Sequence, residues 1–203
     1  MILVGNQKCG STSLIQWLRT HPRVFNTTKE MFYFDKKKYT ELQYMKKYPD
    51  CRVIECGNRI AIEGSVTYAF ANTARKIKTG LPDVKLIFLT RNPVERAYSK
   101  FRMSIRDGVA HVNETFEESV VRDLPILQEF LESFQRRREK GIEETIWEYQ
   151  ENLHGIDRLD QRWQRNMYLS AGLYSYLLEP FLKVFPKDRI KIFCTRNAAG
   201  FGI

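Results

Sequence analysis

Two strings in this chain carry residue types that suit the binding of phosphate. The first reads Gly-Asn-Gln-Lys-Cys-Gly-Ser-Thr over residues 5–12, between an apolar run and a helix-like stretch. A glycine-bounded loop at such a junction points backbone N–H groups and the positive end of the helix dipole at one spot. We therefore predict an anion site at this loop, with Lys8 as its cation. The alternative is that the glycines only mark a turn between a strand and a helix.

The position of the lysine separates this loop from the loop of nucleoside triphosphatases. In G-x-x-x-x-G-K-[ST] the lysine follows the second glycine, and the hydroxyl residue after it holds magnesium. Here Ser11 stands in the lysine position and Lys8 lies inside the loop. The loop keeps the groups that a phosphate needs, but it lacks the standard partners of a magnesium triphosphate.

The second string, Thr-Arg-Asn-Pro-Val-Glu-Arg-Ala-Tyr-Ser, follows the clearest strand pattern of the chain. Arg91 stands at the carboxyl end of that strand, and Ser99 lies about two turns into the helix predicted after it. Ligands of open α/β sheets bind at this edge. An ATPase needs a carboxylate there for magnesium, whereas an arginine and a hydroxyl suit a second phosphate bound without metal. The alternative is a surface ion pair of Arg91 with Glu95 or Asp107.

One carboxylate stands between the two strings, in the aromatic segment Lys-Glu-Met-Phe-Tyr-Phe-Asp at residues 29–35. Aromatic walls raise the pKa of a carboxyl group and suit it to accept a proton. Glu30 is therefore a candidate general base. The alternatives are that Glu30 pairs with Lys29 or caps the next helix.

Four short apolar runs alternate with longer patterns typical of helices. The runs lie at residues 2–4, 60–62, 85–90 and 190–193; the helix patterns lie at 11–21, 36–48, 68–79 and 168–184 and after Pro93. Such alternation is typical of a parallel sheet covered by helices. We predict an α/β fold of the P-loop NTPase-like kind, with three layers and a central parallel sheet flanked by helices. Residues 116–152 are predicted to form a helical insertion over a cleft, broken near Pro125 and Gly141.

The composition favours one domain with anionic partners. The chain has 203 residues, 43% of them hydrophobic, and a net charge of +9. This charge attracts nucleotides, nucleic acids and acidic polysaccharides alike. The basic clusters at 36–38 and 136–138 are interpreted as solvated helix faces. No apolar run approaches the ~20 residues that cross a bilayer, and no secretory signal is recognised.

The four cysteines indicate neither a disulfide scaffold nor a zinc site, because they are few and scattered. They are Cys9, Cys51, Cys56 and Cys194. No metal site is predicted. Whether Cys51 and Cys56 bridge a turn depends on the redox compartment, which the sequence leaves open.

Taken together, the strings resemble the sulfotransferases that use 3'-phosphoadenosine-5'-phosphosulfate, and within them the Golgi carbohydrate sulfotransferases of heparan and chondroitin type. Residues 6–14, with His21-Pro22, are similar to the family's 5'-phosphosulfate loop and helix. Residues 29–35 resemble the K-E-x-x-F-F-D string of heparan sulfate sulfotransferases. Residues 91–99 are similar to the 3'-phosphate signature, and residues 168–174 follow the family pattern. The resemblance covers almost the whole chain.

The resemblance implies a role for each candidate residue. Lys8 would bind the phosphosulfate and stabilise the charge of the leaving group, and Glu30 would take the proton of the acceptor. The 3'-phosphate would lie on Arg91 and Ser99. The 5'-phosphate would be held by the loop and the start of the helix, namely by Lys8, Cys9, Gly10, Ser11, Thr12 and Ser13.

The implied reaction is transfer of a sulfuryl group to a hydroxyl or amino group of a glycan, with adenosine 3',5'-bisphosphate as product and no metal. The implied partner is a carbohydrate rather than nucleic acid, and the implied location is the Golgi membrane or lumen. Two alternatives stay open. One is a kinase-like P-loop phosphotransferase, and the other is a truncated relative that binds nucleotide or glycan without turnover.

Two departures from the family pattern define further expectations. Heparan-type members have E-K-S where this chain has Glu63-Gly64-Ser65, so one cation of the cleft is missing. Residues 194–203 do not resemble the family's continuation into a helix and a loop over the 3'-phosphate. We therefore expect a single domain over residues 1–203 that is incomplete at its C-terminus and lacks an N-terminal anchor.

Overall fold

The computed structural model describes residues 1–25, 30–34, 44, 59–69, 73–141 and 168–195. Its strands are β1 (Ile2–Leu3), β2 (Val24–Phe25), β3 (Ile60–Ala61), β4 (Glu63–Gly64), β5 (Leu86–Arg91) and β6 (Ile190–Thr195). Its helices are α1 (Ser11–Leu18), α2 (Thr73–Gly80), α3 (Pro93–Arg106), α4 (Phe116–Glu139) and α5 (Tyr174–Val184). Short 3-10 turns lie at Val66–Ala69, Ser170–Gly172 and Lys187–Arg189.

The central sheet has the strand order β4-β1-β5-β6, and its neighbouring strands are parallel. Leu3 is paired with Gly64 on one side and with Ile87 on the other. Because parallel strands end at the same edge of a sheet, the chain leaves β4, β1, β5 and β6 at one edge. The predicted α/β fold with a central parallel sheet is confirmed.

Side chains of the central strands alternate between two buried faces of the sheet. Ile2, Leu86 and Phe88 belong to a core cluster that includes residues of α2 and α5. Leu3 and Ile87 belong to a second cluster with Leu14 of α1. A strand that is covered on both faces reads as a continuous apolar run, which is why β1 and β5 were recognisable in the sequence. The two clusters join the central sheet to the helices on its two faces, and the fold therefore has three layers.

Several predicted boundaries differ from the structure. Strand β3 pairs with β2 in a separate two-stranded sheet, so the run at 60–62 is not part of the central sheet. Helix α1 ends at Leu18, before the predicted end at residue 21. The N–H groups of Thr20 and His21 instead donate to carbonyls three residues earlier, which tightens the end of the helix. The pattern at 68–79 forms a 3-10 turn followed by α2.

The predicted helix break at Pro125 is wrong, because α4 runs through this residue. A proline removes one helical hydrogen bond and crowds the carbonyl four residues earlier. The helix is nevertheless anchored on both sides of it, by Asp123 and by Phe134, which are 2% and 8% exposed. Gly141, predicted as the second break, follows the end of α4 with a φ of 71°.

The helix predicted over 168–184 begins later, at Tyr174. The N–H groups of Tyr168 and Leu169 instead donate to the side chain of Asp123, at 2.8 and 3.3 Å. Several predictions lie outside the described residues: the helix at 36–48 except Tyr44, the cluster at 36–38, Cys51 and Cys56, residues 142–152 of the insertion, and residues 196–203. Among the described residues, none of the helices has the length and apolar character to cross a membrane.

Candidate functional site

The loop after β1 has the geometry of an anion cradle. Gly10 is the N-cap of α1 with a φ of 85°, and Lys8 also adopts a left-handed conformation with a φ of 69°. The N–H of Leu14 donates to the Gly10 carbonyl at 3.0 Å. The N–H groups of Ser11, Thr12 and Ser13 precede this first helical bond, so they lie at the positive end of the helix dipole. The structure brings the predicted loop residues together at one helix N-terminus.

Cys9 anchors this loop through its backbone hydrogen bonds. It is fully buried, and its N–H donates to the Asn6 carbonyl at 3.2 Å. Its own carbonyl accepts from the Thr195 hydroxyl at 3.3 Å, which ties the loop to the end of β6. Burial raises the pKa of the Cys9 thiol. The neutral thiol packs in the core, and both backbone polar groups of Cys9 bond within the protein, to Asn6 and Thr195.

Arg91 is the last residue of β5, as predicted. Its Nε lies 3.2 Å from Glu95 Oε2, so the ion pair considered as an alternative is present. Asp107 instead pairs with Arg106 at 2.8 Å. The Nη1 atom of Arg91 also lies 3.5 Å from the carbonyl oxygen of Lys8. The guanidinium therefore reaches both its own helix and the loop after β1.

Helix α3 carries Ser99 on the side that faces the loop. The side chain of Asn92 caps this helix by accepting from the N–H groups of Val94 and Glu95, at 3.0 and 3.2 Å. Lys8 Nζ lies 3.9 Å from the sulfur of Met103. Because residues four apart share a helix face, Ser99 lies one turn before this contact on the same face. Lys8 thus contacts the face of α3 that carries Ser99, and Arg91 reaches the same loop.

Tyr174 joins the two predicted phosphate sites, and the sequence assigned it no role. Its hydroxyl donates to the Arg91 carbonyl at 2.8 Å and accepts from the Arg91 N–H at 3.2 Å. The same oxygen lies 3.7 Å from the sulfur of Cys9. Burial and the neighbouring thiol raise the pKa of Tyr174, so the phenol stays protonated. A tyrosine at the start of a helix gives no sequence signal for such a contact between two loops.

Two further cations are buried in α3 below the site. Arg96 is fully buried and its Nη2 donates to the carbonyl of Tyr168. Lys100 is 2% exposed, and burial together with the charges of Arg96 and Lys8 lowers its pKa to about 8, against a smaller opposing effect of Asp107. Lys100 therefore adds positive charge near Lys8, which suits an anionic ligand.

Glu30 lies at the carboxyl end of β4, on the other side of β1 from Arg91. Its N–H donates to the Gly64 carbonyl at 2.8 Å, and its Oε2 accepts from the Val66 N–H at 3.2 Å. The second contact is a cap on the 3-10 turn Val66–Ala69, rather than on the helix predicted next in sequence. Since β1 lies between β4 and β5, the loop of Lys8 lies between Glu30 and Arg91.

Gly64, which stands at the lysine position of the E-K-S string, lies against α1. A Cβ atom on Gly64 would lie 2.5 Å from Cδ1 of Ile15 on α1. Real Cβ atoms essentially never approach so closely, so Ile15 would have to move to admit a side chain there. Helix α1 therefore packs closely on β4 at this position, and a larger residue is admitted only when the end of the Ile15 side chain shifts.

Comparison with known proteins gives a consistent result. A family model described as a sulfotransferase domain matches residues 1–192. The human heparan sulfate glucosamine 3-O-sulfotransferase 6 is 31% identical over 186 residues. The membrane-associated sulfotransferase kil1 of Dictyostelium discoideum is 26% identical over 144 residues. The crystal structure of a sulfotransferase from Alicyclobacillus acidocaldarius superposes with a TM-score of 0.64 at 25% identity.

The matches differ in how much of each chain they cover. The human relative matches 91% of this chain and 43% of its own length, and the Dictyostelium relative matches 68% and 31%. The bacterial structure matches 95% of this chain and 71% of its own. The chain thus spans less than half the length of these two curated relatives.

Proposed function

The chain belongs to the sulfotransferase domain family, and we propose that its site transfers a sulfuryl group from 3'-phosphoadenosine-5'-phosphosulfate to a hydroxyl or amino group of a carbohydrate. The observation that carries this proposal is the contact between Arg91 and the loop of Lys8, with Glu30 at the neighbouring strand end. A donor with two phosphate groups needs two separate anion sites. The transfer also needs a general base beside the acceptor.

The 5'-phosphosulfate end of the donor suits the loop at residues 5–12. The backbone N–H groups at the start of α1 provide hydrogen bonds to phosphate oxygens, and the helix dipole adds a positive potential. Lys8 stabilises the negative charge that develops on the bridging oxygen as the sulfur–oxygen bond breaks. The lysine acts from within the loop, where its Nζ lies 3.9 Å from the sulfur of Met103 on α3.

The 3'-phosphate suits Arg91 and Ser99. A guanidinium forms paired hydrogen bonds with phosphate oxygens, and the serine hydroxyl adds one more. Because Arg91 is held by Tyr174 through its backbone, its side chain starts from a fixed position. This arrangement favours a donor with a 3'-phosphate over ATP.

Glu30 accepts the proton of the acceptor group as its oxygen or nitrogen attacks sulfur. The bond between sulfur and the oxygen of the donor phosphate breaks on the side of sulfur opposite the attack, and adenosine 3',5'-bisphosphate leaves. Positioning and electrostatic stabilisation supply most of the rate in such in-line transfers. No residue in this scheme needs a metal ion.

The acceptor class is proposed from the relatives, among which several are named for heparan sulfate. A glycan of this kind is acidic, which agrees in sign with the net charge of +9. We also propose that the protein acts at the Golgi membrane or in its lumen. Fractionation of expressing cells tests this location, and recovery outside the Golgi fractions contradicts it.

Thermal unfolding in the presence of nucleotides tests donor binding. Adenosine 3',5'-bisphosphate at 100 times its Kd should stabilise the protein by about 2.7 kcal/mol. ATP with magnesium at the same concentration should stabilise it much less. Lys8→Ala and Arg91→Ala should lose the effect of the bisphosphate. The matched control Arg102→Ala changes an exposed arginine of α3 and should keep it.

Equal stabilisation by the two nucleotides, or none by the bisphosphate, would refute the proposed donor. Magnesium-dependent ATP turnover that survives loss of Ser99 would instead support a kinase-like phosphotransferase. Binding of the bisphosphate without any sulfate transfer would support a non-catalytic relative.

A further inference from the structure

The segment that carries Glu30 is fastened to the end of β4 through its backbone. We call residues 30–34 the base loop. In addition to the Glu30 N–H bond to the Gly64 carbonyl, the N–H of Phe32 donates to Ser65 Oγ at 3.0 Å. These bonds fix the first half of the base loop to the strand next to β1.

A buried tyrosine holds the second half of the base loop. The hydroxyl oxygen of Tyr68 accepts from the N–H groups of Tyr33 and Phe34, at 2.9 and 3.3 Å. The same hydroxyl donates its proton to Oε1 of Glu63. Tyr68 and Glu63 are 0% and 1% exposed, so water does not compete for these bonds. Because the phenolic hydrogen points at Glu63, the oxygen of Tyr68 presents its lone pairs to the base loop.

The backbone of the base loop needs such support. Glu30 and Phe32 adopt left-handed conformations with φ values of 62° and 49°. Residues other than glycine are rarely found there, and they remain only where surrounding contacts over-determine the conformation. The orientation of the Glu30 carboxylate therefore depends on the hydrogen bonds at both ends of the base loop.

The protonation state of the phenol suits this role. Burial and the charge of Glu63 raise the pKa of Tyr68. The phenol consequently stays protonated at neutral pH, where it donates to Glu63 and accepts from the base loop.

We propose that Tyr68, oriented by Glu63, is a positioning residue for the base Glu30. It touches neither donor nor acceptor, and it acts by holding the base loop in the conformation that aims the carboxylate. This inference rests on the proposed function, in which Glu30 accepts the proton.

The variant Tyr68→Phe removes the phenolic oxygen and keeps the ring. Its Kd for adenosine 3',5'-bisphosphate should stay within about twofold of the unmodified protein, because Lys8 and Arg91 lie elsewhere. With labelled donor and heparan sulfate as the acceptor probe, kcat should fall roughly 10- to 100-fold, the loss that a small misplacement of a reacting group produces. Hydrogen–deuterium exchange at the amides of Tyr33 and Phe34 should become faster.

Tyr44→Phe is the matched control. Tyr44 is 7% exposed, and its hydroxyl donates to the other oxygen of the same carboxylate, Glu63 Oε2, at 2.7 Å. The variant therefore removes a buried tyrosine hydroxyl of the same kind, but it leaves the bonds of Tyr68 to the base loop in place. The melting temperature should drop as it does for Tyr68→Phe, whereas kcat should change less than about threefold and exchange at Tyr33 and Phe34 should not change.

Unchanged kcat or unchanged exchange in Tyr68→Phe would overturn the inference, as would an equal loss of kcat in Tyr44→Phe. The unmodified protein separates these outcomes from failure of the proposed function. If it transfers sulfate and Tyr68→Phe transfers it equally well, only the positioning role is wrong. If the unmodified protein binds the bisphosphate but transfers no sulfate, the proposed function fails and the positioning role for a base fails with it.

Discussion

At the residue scale, the site contains an arginine that is already engaged by its own helix. Arg91 pairs with Glu95 four residues later, with 3.2 Å between Nε and Oε2. Half-exposed pairs of this kind are worth roughly 0.2–1 kcal/mol. If a 3'-phosphate binds to Arg91, the guanidinium either leaves this carboxylate for the phosphate or bonds to both.

This competition predicts the effect of Glu95→Gln. Removing the negative charge should tighten binding of adenosine 3',5'-bisphosphate by up to about fivefold, the factor that corresponds to the strength of the pair. Isothermal titration calorimetry measures the change. Glu132→Gln is the matched control, because Glu132 forms the same kind of pair with Arg136 on α4, at 3.6 Å. Weaker binding in Glu95→Gln would show that Glu95 orients the arginine rather than competing for it.

At the scale of elements, the segment 168–173 connects α4, α3 and the loop after β1. Asp123 of α4 accepts from the N–H groups at its start. Arg96 of α3 donates to the carbonyl of Tyr168, and the side-chain amide of Asn6 donates to the carbonyl of Ala171 at 2.8 Å. The loop after β1 is therefore supported by the segment 168–173, whose own position depends on the buried carboxylate of Asp123.

That carboxylate gives the fold a defined pH dependence. Burial raises the pKa of Asp123 to about 6, although the N–H groups of Leu169 and Tyr168 and the charges of Arg122 and Arg96 partly oppose the change. Between the ordinary pKa of about 4 and this value, the folded state binds more protons than the unfolded state. The contribution of Asp123 to stability is therefore full below about pH 4 and is lost as the pH rises through about 6.

Asp123→Asn tests this dependence, because the asparagine oxygen can accept the same two N–H groups without a charge. The free energy of unfolding of the unmodified protein, minus that of the variant, should fall by roughly 3 kcal/mol between pH 4 and pH 7. Urea unfolding at several pH values measures it. A difference that stays constant with pH would mean that Asp123 has an ordinary pKa in the folded protein.

For the molecule as a whole, the layers of the fold could be predicted from the sequence. Strands β1 and β5 are buried on both faces, so their apolar runs were visible without any contact information. Glycine and proline marked the start of α1 and α3 for local reasons. By contrast, the strand on the other side of β1 is Glu63–Gly64, which has no apolar side chain and so gives no strand pattern.

The candidate site was partly predictable for the same reason. Lys8 follows β1 and Arg91 ends β5, so their place at one sheet edge could be predicted from chain order. In the described part of the chain, Glu30 follows no strand of the central sheet, and its place beside β4 depends on its bonds to Gly64 and Val66. Tyr68 and Tyr174 could not be found in this way, because each acts through contacts with residues at least 34 positions away. The continuation of α4 through Pro125 likewise depends on tertiary packing.

Sulfate transfer is tested with a labelled donor. The protein is incubated with sulfur-labelled 3'-phosphoadenosine-5'-phosphosulfate and a panel of glycans that includes heparan sulfate, with EDTA present. We expect labelled glycan with the unmodified protein, and a loss of roughly 10²- to 10⁴-fold in kcat for Glu30→Gln, which should keep its affinity for the bisphosphate. If the protein binds the bisphosphate and labels no glycan, or if Glu30→Gln transfers sulfate at the normal rate, the proposed mechanism is contradicted.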